Sequence, residues 1–209
     1  MSTWLRRINS KILLKITLLV IIEIILIVAS FGVLTYFQSQ QSSLGNSINI
    51  AGKNRYLTSN LLLQTEKYLY GLSSDISQLK VAMNNLESNI IALKQGGMVS
   101  CTDLKPLPSN FFDLWNIVDG RWNGFKTYVT NKLRTSPQAR TTTDQSLTRK
   151  GFESMASNLI ESSDKLVTLL GQLTEKNSQN LILLQILFAI LIIGILVLIL
   201  YLVSCCKNA

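Results

Sequence analysis

Apolar residues follow two patterns along this chain: nearly unbroken runs close to each end and, between them, stripes at alternating spacings of three and four. The first run covers residues 16–37 and is interrupted by Thr17, Glu23, Ser30 and Thr35; the second covers 181–203 and is interrupted chiefly by Gln185. Each is about 22 residues, enough for a helix to cross a hydrocarbon core of roughly 30 Å. Both are predicted membrane spans. A cleaved signal peptide is the rival for the first, with Ala29 and Ser30 as a poor cleavage point, but its apolar core is longer than such leaders carry.

Four stripes fill the interval. Leu44, Ile48, Ala51, Arg55, Thr58, Leu62, Thr65 and Leu69 form the first, and Leu72, Ile76, Leu79, Met83, Leu86, Ile90 and Leu93 the second. Phe111, Trp115, Val118, Trp122, Phe125 and Val129 form the third, and Phe152, Met155, Leu159, Ser162, Leu166, Leu169 and Leu173 the fourth. This rhythm is the buried seam of a helix packed on other helices. The aromatic stripe reads as core rather than as a cofactor box.

Breaks separate the stripes. Pro106 and Pro108 fall in a loop at 96–109 and Pro137 in a loop at 134–143. Between the first two stripes, Gly71 suits a helix C-terminus and Ser74 or Asp75 an N-cap, which predicts a turn rather than one long helix. The expected helices are 40–71, 75–95, 108–133 and 144–180, the last entering the second span unbroken. Short connections predict an all-α, antiparallel up-down four-helix bundle between two transmembrane helices. No segment alternates with period two, so no strands are expected.

The first helix is greasier than one seam requires. Ile50, Leu57, Leu61 and Tyr68 make a second stripe about 110° round from the first. Either this stripe faces a second copy, giving a homodimer, or one wide arc faces the core.

Charge orients the chain. Arg6, Arg7, Lys11 and Lys15 precede the first span and Lys207 follows the second, which predicts cytoplasmic termini and an exported segment at 38–180. The expected divisions are 1–37, 38–180, 181–204 and a short tail at 205–209. Of the net charge of +8, the exported segment carries an excess of +4, from 15 Lys+Arg against 11 Asp+Glu. It has no basic block with interleaved aromatics of the kind that binds nucleic acid.

The chain has no histidine, and Cys101 is the only exported cysteine, so neither a metal site nor another cofactor is expected. Cys101 is free or bridged to a second copy, while Cys205 and Cys206 lie across the membrane from it at a juxtamembrane position open to acylation. No nucleophile–base pair, phosphate loop or carboxylate pair at catalytic spacing occurs, and an enzyme is not expected. Glu23, inside the first span, faces a partner helix or polar cavity, or sits near the cytoplasmic surface with help from Lys15.

Arg55 is the anomalous residue of the first stripe. A guanidinium in a helical seam needs a partner, either a carboxylate or a planar oxyanion. Asp113, Asp119, Glu153 and Asp164 are available acids.

The residues around it, Asn49-Ile-Ala-Gly-Lys-Asn-Arg-Tyr-Leu-Thr-Ser-Asn60, resemble the first-helix motif shared by pilus-associated methyl-accepting chemotaxis transducers and nitrate/nitrite sensor kinases. That motif is close to Ala-Gly-Arg-Gln-Arg-Met-Leu-Ser-Gln-Arg. Ala51, Gly52, Arg55 and Leu57 match it; Lys53, Asn54 and Thr58 are close replacements. Tyr56 stands where methionine is usual, and Asn60 replaces the second arginine. The family also places an exported four-helix bundle between two spans.

The resemblance implies a small anion, nitrate or nitrite, held between the motif helices of two subunits by Arg55 and by backbone near Gly52, with Lys53 as a helper. Two Arg55 side chains about 6 Å apart would repel by roughly 3 kcal/mol at an effective dielectric near 20. An anion between them reverses the sign and couples binding to dimer geometry. Sensors of this family signal through a cytoplasmic domain, whereas about five residues follow the second span here. The expectation is therefore a receptor-like subunit read by a separate membrane or cytoplasmic partner, against the alternative of a structural or accessory subunit of a larger membrane complex that binds no small ligand.

Overall fold

The computed structural model describes residues 2–70, 72, 76–134 and 142–207. Its elements are α1 (Ser2–Leu69), α2 (Ser77–Gln95), β1 (Gly97–Val99), β2 (Thr102–Leu104), a 3-10 turn (Ser109–Phe111), α3 (Phe112–Arg134) and α4 (Thr142–Lys207). The protein is all-α apart from the two short strands. The continuation of the last helix into the second apolar run is present, and α1 likewise runs through the first apolar run and on to Leu69.

The chain divides into two compact units. Met1–Gln41 with Glu175–Ala209 forms one, and Ser42–Thr174 forms the other. In the first, two helices are long and apolar enough to cross a membrane. Side chains such as Leu18, Ile25, Phe31, Leu187, Ile193 and Leu200 point outward from them, as lipid-facing residues do.

In the second unit the stripes at four-three spacing become a single core. Leu79, Met83, Leu86, Ile90 and Leu93 of α2 are buried with the whole aromatic stripe, from Phe111 in the 3-10 turn to Val129 of α3, and with Phe152, Leu159 and Leu166 of α4. Aromatic edges meet faces across helices: Phe125 lies 6.2 Å from Phe152 at 85°, and Tyr128 lies 4.9 Å from Phe152 at 71°. Trp115 donates its indole N–H to the Ile90 carbonyl at 2.7 Å, and the Lys94 ammonium sits 4.1 Å from the Trp115 ring centre. A cation over an indole face gains from the ring quadrupole. On α4 the rhythm slips by one residue, so that Leu170 is buried where Leu169 was expected.

The core-facing arc of α1 differs from the expected seam. Leu44, Ser47, Ile50, Ala51, Asn54, Thr58, Leu61 and Thr65 are buried. This is the single wide arc, lying between the two stripes and taking members of both. The Thr58 and Thr65 hydroxyls donate to the carbonyls four residues back at 2.7 Å, which satisfies them inside the core. Asn54 bonds across to Asn89 of α2 at 3.0 Å, and both are almost wholly buried. A paired buried amide adds little net stability but penalises any register that would leave it unpaired.

The loop after α2 corrects the expectation of no strands. β1 and β2 pair antiparallel, with Val99 opposite Thr102 and Gly97 opposite Leu104. Ser100 and Cys101 at the tip have φ of +48° and +60°, the left-handed pair that a two-residue hairpin turn requires. Gly96 starts the hairpin at φ +77° and ψ −174° while its N–H closes α2 onto the Ala92 carbonyl. The hairpin is tied to α1 by the Asn46 side-chain amide, which donates to the Asp103 carbonyl at 3.1 Å. The expected helix-capping residues Gly71, Ser74 and Asp75, and Pro137 of the second loop, lie outside the described residues; α1 ends and α2 begins on either side of that first turn.

Candidate functional site

Because Asn54 takes the inward position on α1, Arg55 is carried to the edge of the buried arc, beside α4. Its Nε lies 2.8 Å from Asp164 Oδ1, with the side chains 55% and 42% exposed. Oδ1 is itself shielded from water yet accepts no hydrogen bond, so the contact is a charge pair without a directed N–H···O bond. Arg55 is therefore not in the dry seam expected of it, and of the two partners its guanidinium could take, a carboxylate or an oxyanion, it has the carboxylate of Asp164. Alternation placed it on the seam, and the one-residue offset of the true arc moved it off. Burial of an unpaired charge no longer argues for a ligand, and an exposed pair of this kind contributes about 0–1 kcal/mol.

Of the other acids, Glu153 and Glu66 both take Arg149, whose Nε lies 2.8 Å and 3.3 Å from them. Glu153, by its hydrogen bond, and then Glu66 hold that guanidinium above the ordinary arginine value. Asp119 accepts from Asn123 at 3.1 Å, and Asp113 sits exposed in the first turn of α3. The Arg55–Asp164 and Glu66–Arg149 pairs thus clasp α1 to α4 at two levels.

An open pocket of about 360 Å³ lies over Gly52, Arg55, Tyr56, Ser59 and Ile160. It brings together two of the three residues singled out from the sequence; Lys53 is exposed but does not line it. No hydrogen bond to the Arg55 guanidinium occurs among the described residues, and the side chain, 55% exposed, lines the open pocket. A Cβ built on Gly52 meets nothing within 4 Å. Glycine costs about 1 kcal/mol relative to alanine in a helix interior, and nothing among the described residues requires it here. Its absent side chain leaves the helix backbone open to approach from outside.

The outward face of α1 also differs from expectation. Ile50 and Leu61 of the proposed second stripe are fully buried, and Leu57 packs against the core. Tyr56 and Leu63, 71% and 47% exposed, point outward instead, at heptad spacing with Gly52 between Tyr56 and the equally open Gly45. Cys101 is exposed at the hairpin tip; the side chains of Cys205 and Cys206 lie outside those described. No protein-family model, curated protein or solved structure matches this chain.

Proposed function

We propose that this is a membrane-anchored, receptor-like binding protein whose segment between the two apolar runs is an exported, antiparallel up-and-down four-helix bundle. Its ligand is a small planar oxyanion of the nitrate or nitrite type, taken at Arg55 and Gly52 with Lys53 as a helper. The Asn54–Asn89 and Trp115–Ile90 contacts, with the Phe125–Phe152 pair and the α1–α4 ion pairs, support antiparallel neighbours all the way round. The positive flanks Arg6, Arg7, Lys11, Lys15 and Lys207 support cytoplasmic termini.

The pocket carries the ligand assignment: an exposed guanidinium lining it, beside a glycine that no contact among the described residues demands. A site shared by two copies must be open in one copy alone. The outward row through Gly52, Tyr56 and Leu63 is the face on which the second copy would seat. With all three native cysteines replaced by serine, Leu63→Cys should form a disulfide-linked dimer in membranes, whereas Ile91→Cys, equally exposed on α2, should not. Equal cross-linking at both positions would remove the assigned dimer face.

The Arg55–Asp164 pair favours a second role, an accessory subunit of a membrane complex that binds no small ion. Titration of nitrate and nitrite into the full chain, followed by calorimetry, separates the two. Saturable heat supports the receptor, and no heat from a fully helical protein supports the accessory subunit.

A further inference from the structure

Asp164 is placed to do more than neutralise Arg55. It belongs to α4 while Arg55 belongs to α1, so their contact, like that of Glu66 with Arg149, is a polar clasp between these helices. The pair is incompletely made. The carboxylate oxygen nearest Nε is shielded from water yet accepts no hydrogen bond, and Arg55 lines the open pocket together with Tyr56 and Ser59. A carboxylate and a nitrate ion are both planar oxyanions of unit charge that offer paired oxygens to the same guanidinium fork. They are rivals for one cation, and the carboxylate repels a second anion brought beside it.

We propose that Asp164 is the resident competitor for Arg55, so that an oxyanion enters by displacing the α1–α4 ion pair. This rests on the oxyanion assignment above and adds its regulation. With an anion seated, Arg55 is drawn from α4 towards the outward face of α1, and the Glu66–Arg149 clasp remains. Ligand binding then exchanges a contact within one chain for one shared at the α1 surface. That gives the ion a differential interaction with two arrangements of α1 and α4, which any ligand-driven shift requires.

The test uses the full chain in detergent micelles, with nitrate as the probe, in the native protein, Asp164→Asn and Asp164→Ser. Circular dichroism checks that helicity is retained in both variants. Removing the competitor should tighten nitrate binding about two- to fivefold, the range set by an exposed ion pair. Heat in the variants alone would also support the gate, with the native pair holding the site shut. Equal or weaker binding in both variants, alongside clear binding to the native protein, overturns the gate and leaves the oxyanion site standing. No heat in any of the three overturns the oxyanion assignment itself, and the gate with it.

Discussion

Phe125→Ala should unfold the Ser42–Thr174 unit more readily than any other single truncation in the α3 stripe, at a cost of about 3–5 kcal/mol. Phe125 has no exposed surface, and its ring meets Trp122 at 6.5 Å and Phe152 at 6.2 Å, edge to face. Truncation therefore loses the transfer free energy of the ring, leaves a cavity between α3 and α4, and removes two aromatic pairs worth about 0.5–1.5 kcal/mol each. Thermal unfolding followed by circular dichroism should show a fall of roughly 10 °C or more. Phe125→Leu, which keeps most of the volume, should lose far less. A fall of only a degree or two for Phe125→Ala would mean that this ring is not at the centre of the core.

The second large effect is expected at Gly96. Its φ of +77° with ψ near 180° is open to glycine and strained for any L side chain, and a Cβ there would stand 2.9 Å from both the Leu104 carbonyl oxygen and the Pro106 ring. Neither neighbour can swing away, since one is backbone and the other a ring locked to it. Gly96→Ala should cost about 2–4 kcal/mol, from backbone strain plus the forced opening of the hairpin. Gly97 has φ +110° but open space around its Cβ position, so Gly97→Ala carries strain alone and should cost less. Hydrogen exchange in Met98 to Leu104 should accelerate strongly in Gly96→Ala. Equal protection in the two variants would show that the close approach is not what holds the turn.

Helix identity was legible because burial on one side of a helix leaves a period that survives substitution: every member of the Phe111-to-Val129 stripe is buried. The hairpin was not legible, because three-residue strands are too short to display alternation and its turn uses Ser100 and Cys101 in place of the usual glycine or asparagine. α1 was legible as a helix but not in its rotation. Apolar residues outnumber the positions one arc needs, and polar residues such as Asn54, Thr58 and Thr65 enter the core by bonding to Asn89 or to their own backbone. A polar residue that finds its partner locally leaves no mark in a hydrophobic pattern. That rotation moved Arg55 from a presumed dry seam to an open edge facing Asp164.

The consequence for function is a change of footing. An uncompensated guanidinium in a low-dielectric interface would have demanded an anion, since isolated buried charge is very costly. An exposed guanidinium already beside a carboxylate demands nothing. What supports a ligand is the exposed guanidinium lining the pocket, the unexplained glycine and the motif resemblance at Ala51, Gly52, Arg55 and Leu57.

Calorimetric titration of nitrate into the full chain and into Arg55→Ala tests that account most directly. A saturable heat in the native protein that vanishes in a variant of unchanged helicity is the predicted result; heat that survives the loss of Arg55, or none from the intact native protein, would contradict it.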